Sequence, residues 1–318
     1  MKKALSLLVL LLTVGAQTLV AQAATWTPTR VNKAIELLES GQPIYYAQIT
    51  AGGYEQGLEM AQTPADYITY NLEHYGPDIT QLREFMRGLV DGGPTRSGHR
   101  TPAVIVVTPA VGWTEAAMQG NTWMMQNIIN AGVHGILLPH AVDPAAVRLM
   151  IESIRYPFAP ASPGLGIGMQ GSGSSGYASG IWGISGNEYL QKADVWPLNP
   201  NGELLIGLKI ESLHGVARAR EMVNIPGVGF AEWGPGDQGY FLGGFEGLGQ
   251  PAPNDHPRLN EMRSTVFQAV RDADKFFLNS CGTQDVTAMI DEGVMICTGG
   301  AGEAATIGRR HTNRQMPW

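Results

Sequence analysis

Nearly continuous apolar runs recur along the chain, and stretches of mixed polarity separate them. Parallel strands that are covered on both faces have this pattern, because neither face of the strand meets water. We therefore predict eight strands, in the ranges 43–50, 65–74, 103–110, 132–141, 204–212, 227–235, 274–282 and 293–300.

The stretches between these runs carry helical periodicity. In the range 78–90 apolar residues recur every three or four positions, and Asp78 is a good N-cap. Asp143 followed by Pro144 predicts another helix start, and Gly132 predicts the end of the helix before the fourth strand. Strands and helices therefore alternate along most of the chain.

This alternation predicts an α/β fold, a (β/α)8 TIM barrel. A doubly wound open sheet is the alternative, but the glycines in the range 50–57 lack the GxGxxG spacing of a phosphate-binding turn. An extra N-terminal helix in the range 27–40 precedes the first strand. It either closes the bottom of the barrel or mediates assembly.

One long connection, residues 159–203, does not fit a minimal barrel. It joins the fourth and fifth predicted strands and is rich in Gly, Ser and Pro, yet it contains Tyr177, Trp182 and Tyr189. Structureless loops of this length are uncommon inside a domain. The aromatic residues favour an ordered lid or an oligomer contact over a flexible linker.

The N-terminus has the features of a secretory signal peptide. Residues 1–23 combine a positive start, an apolar stretch and an Ala-Gln-Ala cleavage pattern, and an uncleaved membrane anchor is the rival interpretation. We expect cleavage, export to the periplasm and a single domain over residues 24–318. No later segment has the roughly 18 apolar residues of a membrane span.

Composition and cysteine content add two expectations. The net charge is −7 and there is no basic run, so a nucleic-acid partner is not expected. Cys281 and Cys297 are the two cysteines, and in an exported protein they either form a disulfide or remain as buried thiols.

Polar residues at the carboxyl ends of the predicted strands are candidates for a functional site, since barrel enzymes build their sites there. Glu211 and Asp237 follow neighbouring strands and together suit a divalent metal, although each alone could be an ordinary helix-entrance or turn residue. The turn around Gly236 and Asp237 can present backbone N–H groups to a substrate anion. His74 is the best acid/base candidate, because the pKa of a histidine lies near neutrality.

A second imidazole, His140, lies at the same predicted rim. Glu73 is adjacent to His74, and adjacent residues on a strand point to opposite faces. We therefore expect Glu73 to be a structural or interface residue and not part of the site.

Several stretches together resemble the HpcH/HpaI aldolase / citrate lyase superfamily, in particular its class II pyruvate aldolases. They occur in the family order over nearly the whole mature chain: "ADYITYNLEHYGPDITQLREFM", "AGVHGILLPHAVDPAAVRLMIESIRYPF", "LLIGLKIES", "IPGVGFAEWGPGDQ" and "AMIDEGVMICTGG". The resemblance implies a TIM barrel and a divalent ion, Mg²⁺ or Mn²⁺ or else Co²⁺. Glu211 and Asp237 would be the ligands, and His74 would transfer protons. It also implies a homo-oligomer, a trimer or a hexamer.

The chain departs from the family pattern at three positions. Thr108-Pro109 stands where the family has an arginine at the end of the third strand, which would make Thr108 a substrate contact. Asn71 replaces an acid, and Lys209 replaces a glutamine. Lys209 or His140 could supply the charge that the arginine would have given to the reacting oxygen.

Three functions follow from these observations. The first is a metal-dependent carbon–carbon lyase that cleaves a 4-hydroxy-2-oxo acid-like substrate through a metal-stabilised enolate. The second is a different lyase or hydrolase on the same scaffold, favoured by the missing arginine. The third is a non-catalytic periplasmic protein that binds an oxo acid. The tryptophans near the predicted rims suggest a larger or aromatic substrate.

Overall fold

The computed structural model describes residues 26–173, 175–299 and 302–318. The predicted signal peptide, residues 1–23, lies outside the described residues. Within these ranges there are nine strands: β1 Ile44–Ile49, β2 Tyr67–Asn71, β3 Ala103–Val107, β4 Gly135–Leu138, β5 Val195–Trp196, β6 Leu204–Ile210, β7 Phe230–Trp233, β8 Phe276–Asn279 and β9 Val294–Cys297.

The described ranges also contain twelve α-helices. They are α1 Lys33–Glu39, α2 Tyr54–Met60, α3 Ile79–Asp91, α4 Glu115–Ile129, α5 Pro144–Ile154, α6 Ser175–Trp182, α7 Gly186–Lys192, α8 Leu213–Val223, α9 Pro235–Phe245, α10 Pro257–Asp272, α11 Val286–Glu292 and α12 Glu303–His311. None of the described helices is both long and apolar enough to cross a bilayer.

Eight of the strands form a closed parallel barrel. The pairing follows the order β1-β2-β3-β4-β6-β7-β8-β9, and β9 pairs back with β1. Each of the eight predicted apolar runs contains one strand of the ring, so the predicted TIM barrel is confirmed. The two-residue strand β5 lies outside the ring and pairs with β6.

The predicted helix starts are present and have a local cause. The Asp78 carboxylate accepts a hydrogen bond from the Gln81 N–H, and the Asp143 carboxylate accepts one from the Ala145 N–H. Each side chain satisfies one of the N–H groups that the first turn of a helix leaves without a partner. These caps fix where α3 and α5 begin, and hence how long the loops after β2 and β4 can be.

The extra N-terminal helix α1 closes the bottom of the barrel. Its buried residues Ala34, Ile35 and Leu37 belong to the same hydrophobic cluster as inward-facing residues of all eight ring strands, among them Tyr67 and Ile105. This cluster leaves the opposite end, where the strands finish, as the open end of the barrel.

The long connection is ordered in its described part, which contains α6, α7 and β5. The Trp182 indole donates to the Gly132 carbonyl at 2.9 Å, and Arg100 donates to the Ile181 carbonyl at 2.9 Å. Gly132 and Arg100 precede β4 and β3, so α6 lies beside the amino ends of these strands. The buried Trp182 therefore anchors this part of the insert beside those strand ends, and the expected lid or oligomer contact stays a prediction.

A charged cluster holds the C-terminal segment against the barrel bottom. Asp66 is fully buried and contacts Lys33 at 3.4 Å, Arg309 at 3.3 Å and Arg314 at 3.1 Å. Burial alone would raise the pKa of Asp66, but the three cations outweigh it and lower the pKa to about 2. The carboxylate is therefore charged over the whole physiological range.

Cys281 and Cys297 form a disulfide. Cys281 follows β8 and Cys297 ends β9, so the bond joins the open ends of two neighbouring strands. Of the two alternatives left by the sequence, the structure has the bonded one.

Candidate active site

Four polar side chains, Glu73, His140, Lys209 and Glu211, meet at the open end of the barrel. The Lys209 Nζ lies 3.0 Å from Glu73 Oε2 and 3.2 Å from Glu211 Oε2. On the other side of the two carboxylates, the His140 ring lies 3.5 Å from Glu73 Oε1 and 3.8 Å from Glu211 Oε1. Both carboxylates are almost completely buried, whereas Lys209 and His140 are each 14% exposed through their side chains.

Strand geometry explains how these residues converge. Lys209 lies in β6 and Glu211 directly follows it, two positions apart and hence on the same face. Glu73 follows β2 in the same phase as Tyr67, whose side chain lies in the barrel interior. Its N–H donates to the Asn71 side chain at 2.8 Å, which fixes the turn at the end of the strand.

His140 reaches the cluster through an unusual backbone. It has a φ of 47°, a left-handed conformation that costs a residue with a side chain on the order of 1–3 kcal/mol. In this conformation its N–H donates to Glu211 Oε1 at 3.0 Å while its ring faces Glu73. The strain is thus tied to the contacts of a candidate functional residue.

Burial and neighbouring charges shift the pKa values of Lys209, Glu211 and Glu232 in this cluster. Burial lowers the pKa of Lys209, but Glu211, Glu232 and Glu73 outweigh it, so the pKa is raised and the ammonium stays charged. Glu232 of β7 lies opposite Lys209 of β6 in the strand register. Burial raises the pKa of Glu232 to about 7, although the charge of Lys209 acts to lower it. Burial also raises the pKa of Glu211. Three carboxyl groups therefore lie around one ammonium, and Glu232 is only partly charged near neutral pH.

Three of these residues could hold a metal ion. One ligand atom each from Glu73, His140 and Glu211 lie within 4.8 Å of one another. Glu73 Oε1 and His140 Nδ1 are buried without a hydrogen-bond partner among the described residues, which is costly unless something else binds them. Lys209 contacts the Oε2 atoms, whereas the Oε1 atoms of Glu73 and Glu211 face the His140 ring. The residues present therefore fit a divalent cation.

Not all site residues predicted from the sequence belong to this group of three possible metal ligands. Asp237 lies in the first turn of α9 and its charge acts on Glu232, but it does not belong to the group of three possible ligands. Ligand atoms of Glu73 and His140 lie close to those of Glu211, and the role of Asp237 as a metal ligand stays a prediction. Gly236 is exposed in the same turn. Thr108 directly follows β3, and its buried hydroxyl has no hydrogen-bond partner among the described residues.

His74 lies at the edge of the site. Its side chain is 59% exposed, and its Nε2 lies 3.6 Å from Glu73 Oε2. The expectation that Glu73 lies outside the site is wrong, since its carboxylate contacts His74, His140 and Lys209. Glu73 lies six positions after Tyr67 and so on the same face, but only the structure shows that Tyr67 points inwards.

Solved structures share the fold of this chain. An HpcH/HpaI aldolase/citrate lyase family protein from Burkholderia cenocepacia is 19% identical, with a TM-score of 0.65 over 89% of this chain and 97% of that one. An HpcH/HpaI aldolase from Desulfitobacterium hafniense is 17% identical, with a TM-score of 0.62 over 88% and 94%. Macrophomate synthase is 17% identical, with a TM-score of 0.58 over 91% and 90%.

The chain therefore has the fold of the HpcH/HpaI aldolase/citrate lyase structures, as its motifs led us to expect. No sequence model of a family and no curated protein matches it.

Proposed function

We propose that the protein is a divalent-metal-dependent carbon–carbon lyase that cleaves a 4-hydroxy-2-oxo acid-like substrate. The observation that carries this proposal is the buried cluster of Glu73, His140, Glu211 and Lys209. In it, Glu73 Oε1 and His140 Nδ1 have no hydrogen-bond partner among the described residues. The fold shared with proteins named as aldolases supports the same reaction class. A bound divalent ion would supply Lewis-acid polarisation of the 2-oxo group.

The ligand set favours particular ions. Two carboxylates with one imidazole form a softer set than the two carboxylates expected from the sequence. We therefore expect Mn²⁺ or Co²⁺ to bind more tightly than Mg²⁺.

The protein's own residues would divide the remaining work. Lys209 keeps its charge, so it acts as an electrostatic donor to the anionic oxygen of the substrate and not as a nucleophile. It thereby takes the place of the arginine that Thr108 replaces. His74 is exposed beside Glu73, so it can accept the proton of the 4-hydroxyl group and exchange it with water.

Metal analysis of the mature protein tests this proposal. Glu73→Gln and Glu211→Gln should each lose bound Mn²⁺, lose the rise in melting temperature caused by added Mn²⁺, and lose pyruvate release. Glu221→Gln is the matched control, because this acid lies on the exposed face of α8. Pyruvate release that survives EDTA and both substitutions would refute the proposal.

We also propose that the mature chain is exported to the periplasm and assembles into a trimer or hexamer. The signal-peptide pattern and the Cys281–Cys297 disulfide support export, because such bonds persist in oxidising compartments. The exposed Tyr240, Phe245 and Leu248 support self-association. Light scattering of the purified protein, together with fractionation of the cells that make it, tests both statements.

A further inference from the structure

Two aromatic rings stand beside the candidate active site. Trp113, in the loop between β3 and α4, stacks on the His140 ring with centroids 5.2 Å apart and planes inclined by 21°. Phe241, on α9, lies 5.6 Å from Trp113 and meets His140 edge-on at 6.0 Å. The rings form a continuous aromatic wall, Trp113–His140–Phe241, next to Glu73 and Glu211.

The backbone fixes Trp113 in this place. The carbonyl of Gly112 accepts hydrogen bonds from the N–H groups of Val142 and Asp143, each at 3.1 Å. A Cβ at position 112 would lie 2.8 Å from the His140 carbonyl oxygen, so the loop approaches this closely only because the residue is glycine. Trp113 is therefore held against His140 before any ligand arrives.

The helix α9 fixes Phe241 in the same way. Phe241 lies four residues after Asp237, so both project from one face of this helix. The contacts of Phe241 with Trp113 and His140 place this helix face towards the candidate active site.

Neither ring is explained by packing of the protein interior. Neither Trp113 nor Phe241 joins the hydrophobic clusters of the described residues, and Phe241 is 36% exposed. Pre-positioned aromatic surface beside polar groups is the usual composition of a small-molecule site, where apolar walls bind and a few polar groups orient.

We propose that the site selects a 2-oxo acid with an aromatic substituent, whose ring packs on the wall while its acid end faces Lys209. This proposal names the substrate class of the candidate active site, and it takes the lyase reaction itself from the proposed function. Face and edge contacts with two rings favour an aromatic ligand over a short aliphatic one by a factor on the order of ten or more, beyond the area that is buried.

Calorimetric titration of the full mature protein with Mn²⁺, using phenylpyruvate and pyruvate as probes, tests this selection without any turnover. Phenylpyruvate should bind at least about tenfold more tightly. Phe241→Ala should remove most of this preference and leave the pyruvate affinity nearly unchanged. Phe158→Ala is the matched control, since this ring lies after the end of α5, stacks on Tyr156 and is 64% exposed, so its loss should leave both affinities unchanged. Trp113→Leu provides a second test from the other end of the wall.

The outcomes separate this inference from the proposed lyase activity. Equal affinities for the two acids, no binding of either, or an equal loss for both in Phe241→Ala would overturn the aromatic selection. A protein that prefers phenylpyruvate but releases pyruvate from no 4-hydroxy-2-oxo acid would support the selection and overturn the lyase activity.

Discussion

Reduction of the Cys281–Cys297 disulfide should lower the thermal stability of the protein. The two cysteines are 16 residues apart and both are buried. Cross-linking a loop of this length removes about 10 cal/mol/K of entropy from the unfolded chain, which corresponds to about 3 kcal/mol at 25 °C. The entropy of unfolding of a chain of about 290 residues is roughly 0.6 kcal/mol/K, so the melting temperature should fall by roughly 5 °C.

Differential scanning calorimetry of the mature protein, with and without a thiol reductant, measures this shift. The double variant Cys281→Ala/Cys297→Ala is the control, because it should melt at or below the temperature of the reduced protein and should not respond to the reductant. Alkylation and mass spectrometry confirm which form is present. An oxidised protein that melts at the same temperature as the reduced one would refute the reasoning.

Two further predictions concern buried charges. Lys209→Met should destabilise the metal-free protein by about 3–5 kcal/mol, as measured by urea unfolding, because Glu73 and Glu211 lose the ammonium between them. Added Mn²⁺ should restore part of this stability. A variant as stable as the native protein would contradict this account. Asp66 has a folded pKa of about 2 against a usual value of 3.8. It therefore contributes on the order of 2 kcal/mol of stability above about pH 4, and this contribution is lost as the pH falls towards 2. Asp66→Asn should lower the free energy of unfolding at neutral pH and should weaken its dependence on pH between about 4 and 2. An unchanged pH dependence in this range would contradict the stabilising role of the Asp66 cluster.

Prediction from the sequence succeeded where the physical signal is local. Each ring strand is a short run covered on both faces, and each run shows as a block of apolar residues. The cap residues Asp78 and Asp143 mark helix starts through contacts within three residues. These signals suffice for the barrel and for the set of strand ends that could carry a site.

Because both faces of each ring strand are buried, the sequence does not show which side chains point into the barrel. All five residues of β2 are buried, so the strand has no polar alternation from which to read the phase of Glu73 and His74. The contact between Lys209 and Glu73 joins residues 136 positions apart, and no local pattern encodes it. The helices of the insert form from a Gly/Ser-rich sequence because Trp182 and Tyr189 are buried by tertiary contacts.

The left-handed backbone of His140 has a consequence for attempts to engineer this protein. A glycine there would relieve the strain, so a screen that rewards thermal stability alone should favour it. That substitution would remove an imidazole that faces both carboxylates of the site. Improvement of this protein therefore has to select for ligand binding and heat resistance together, because at this position the two requirements oppose each other.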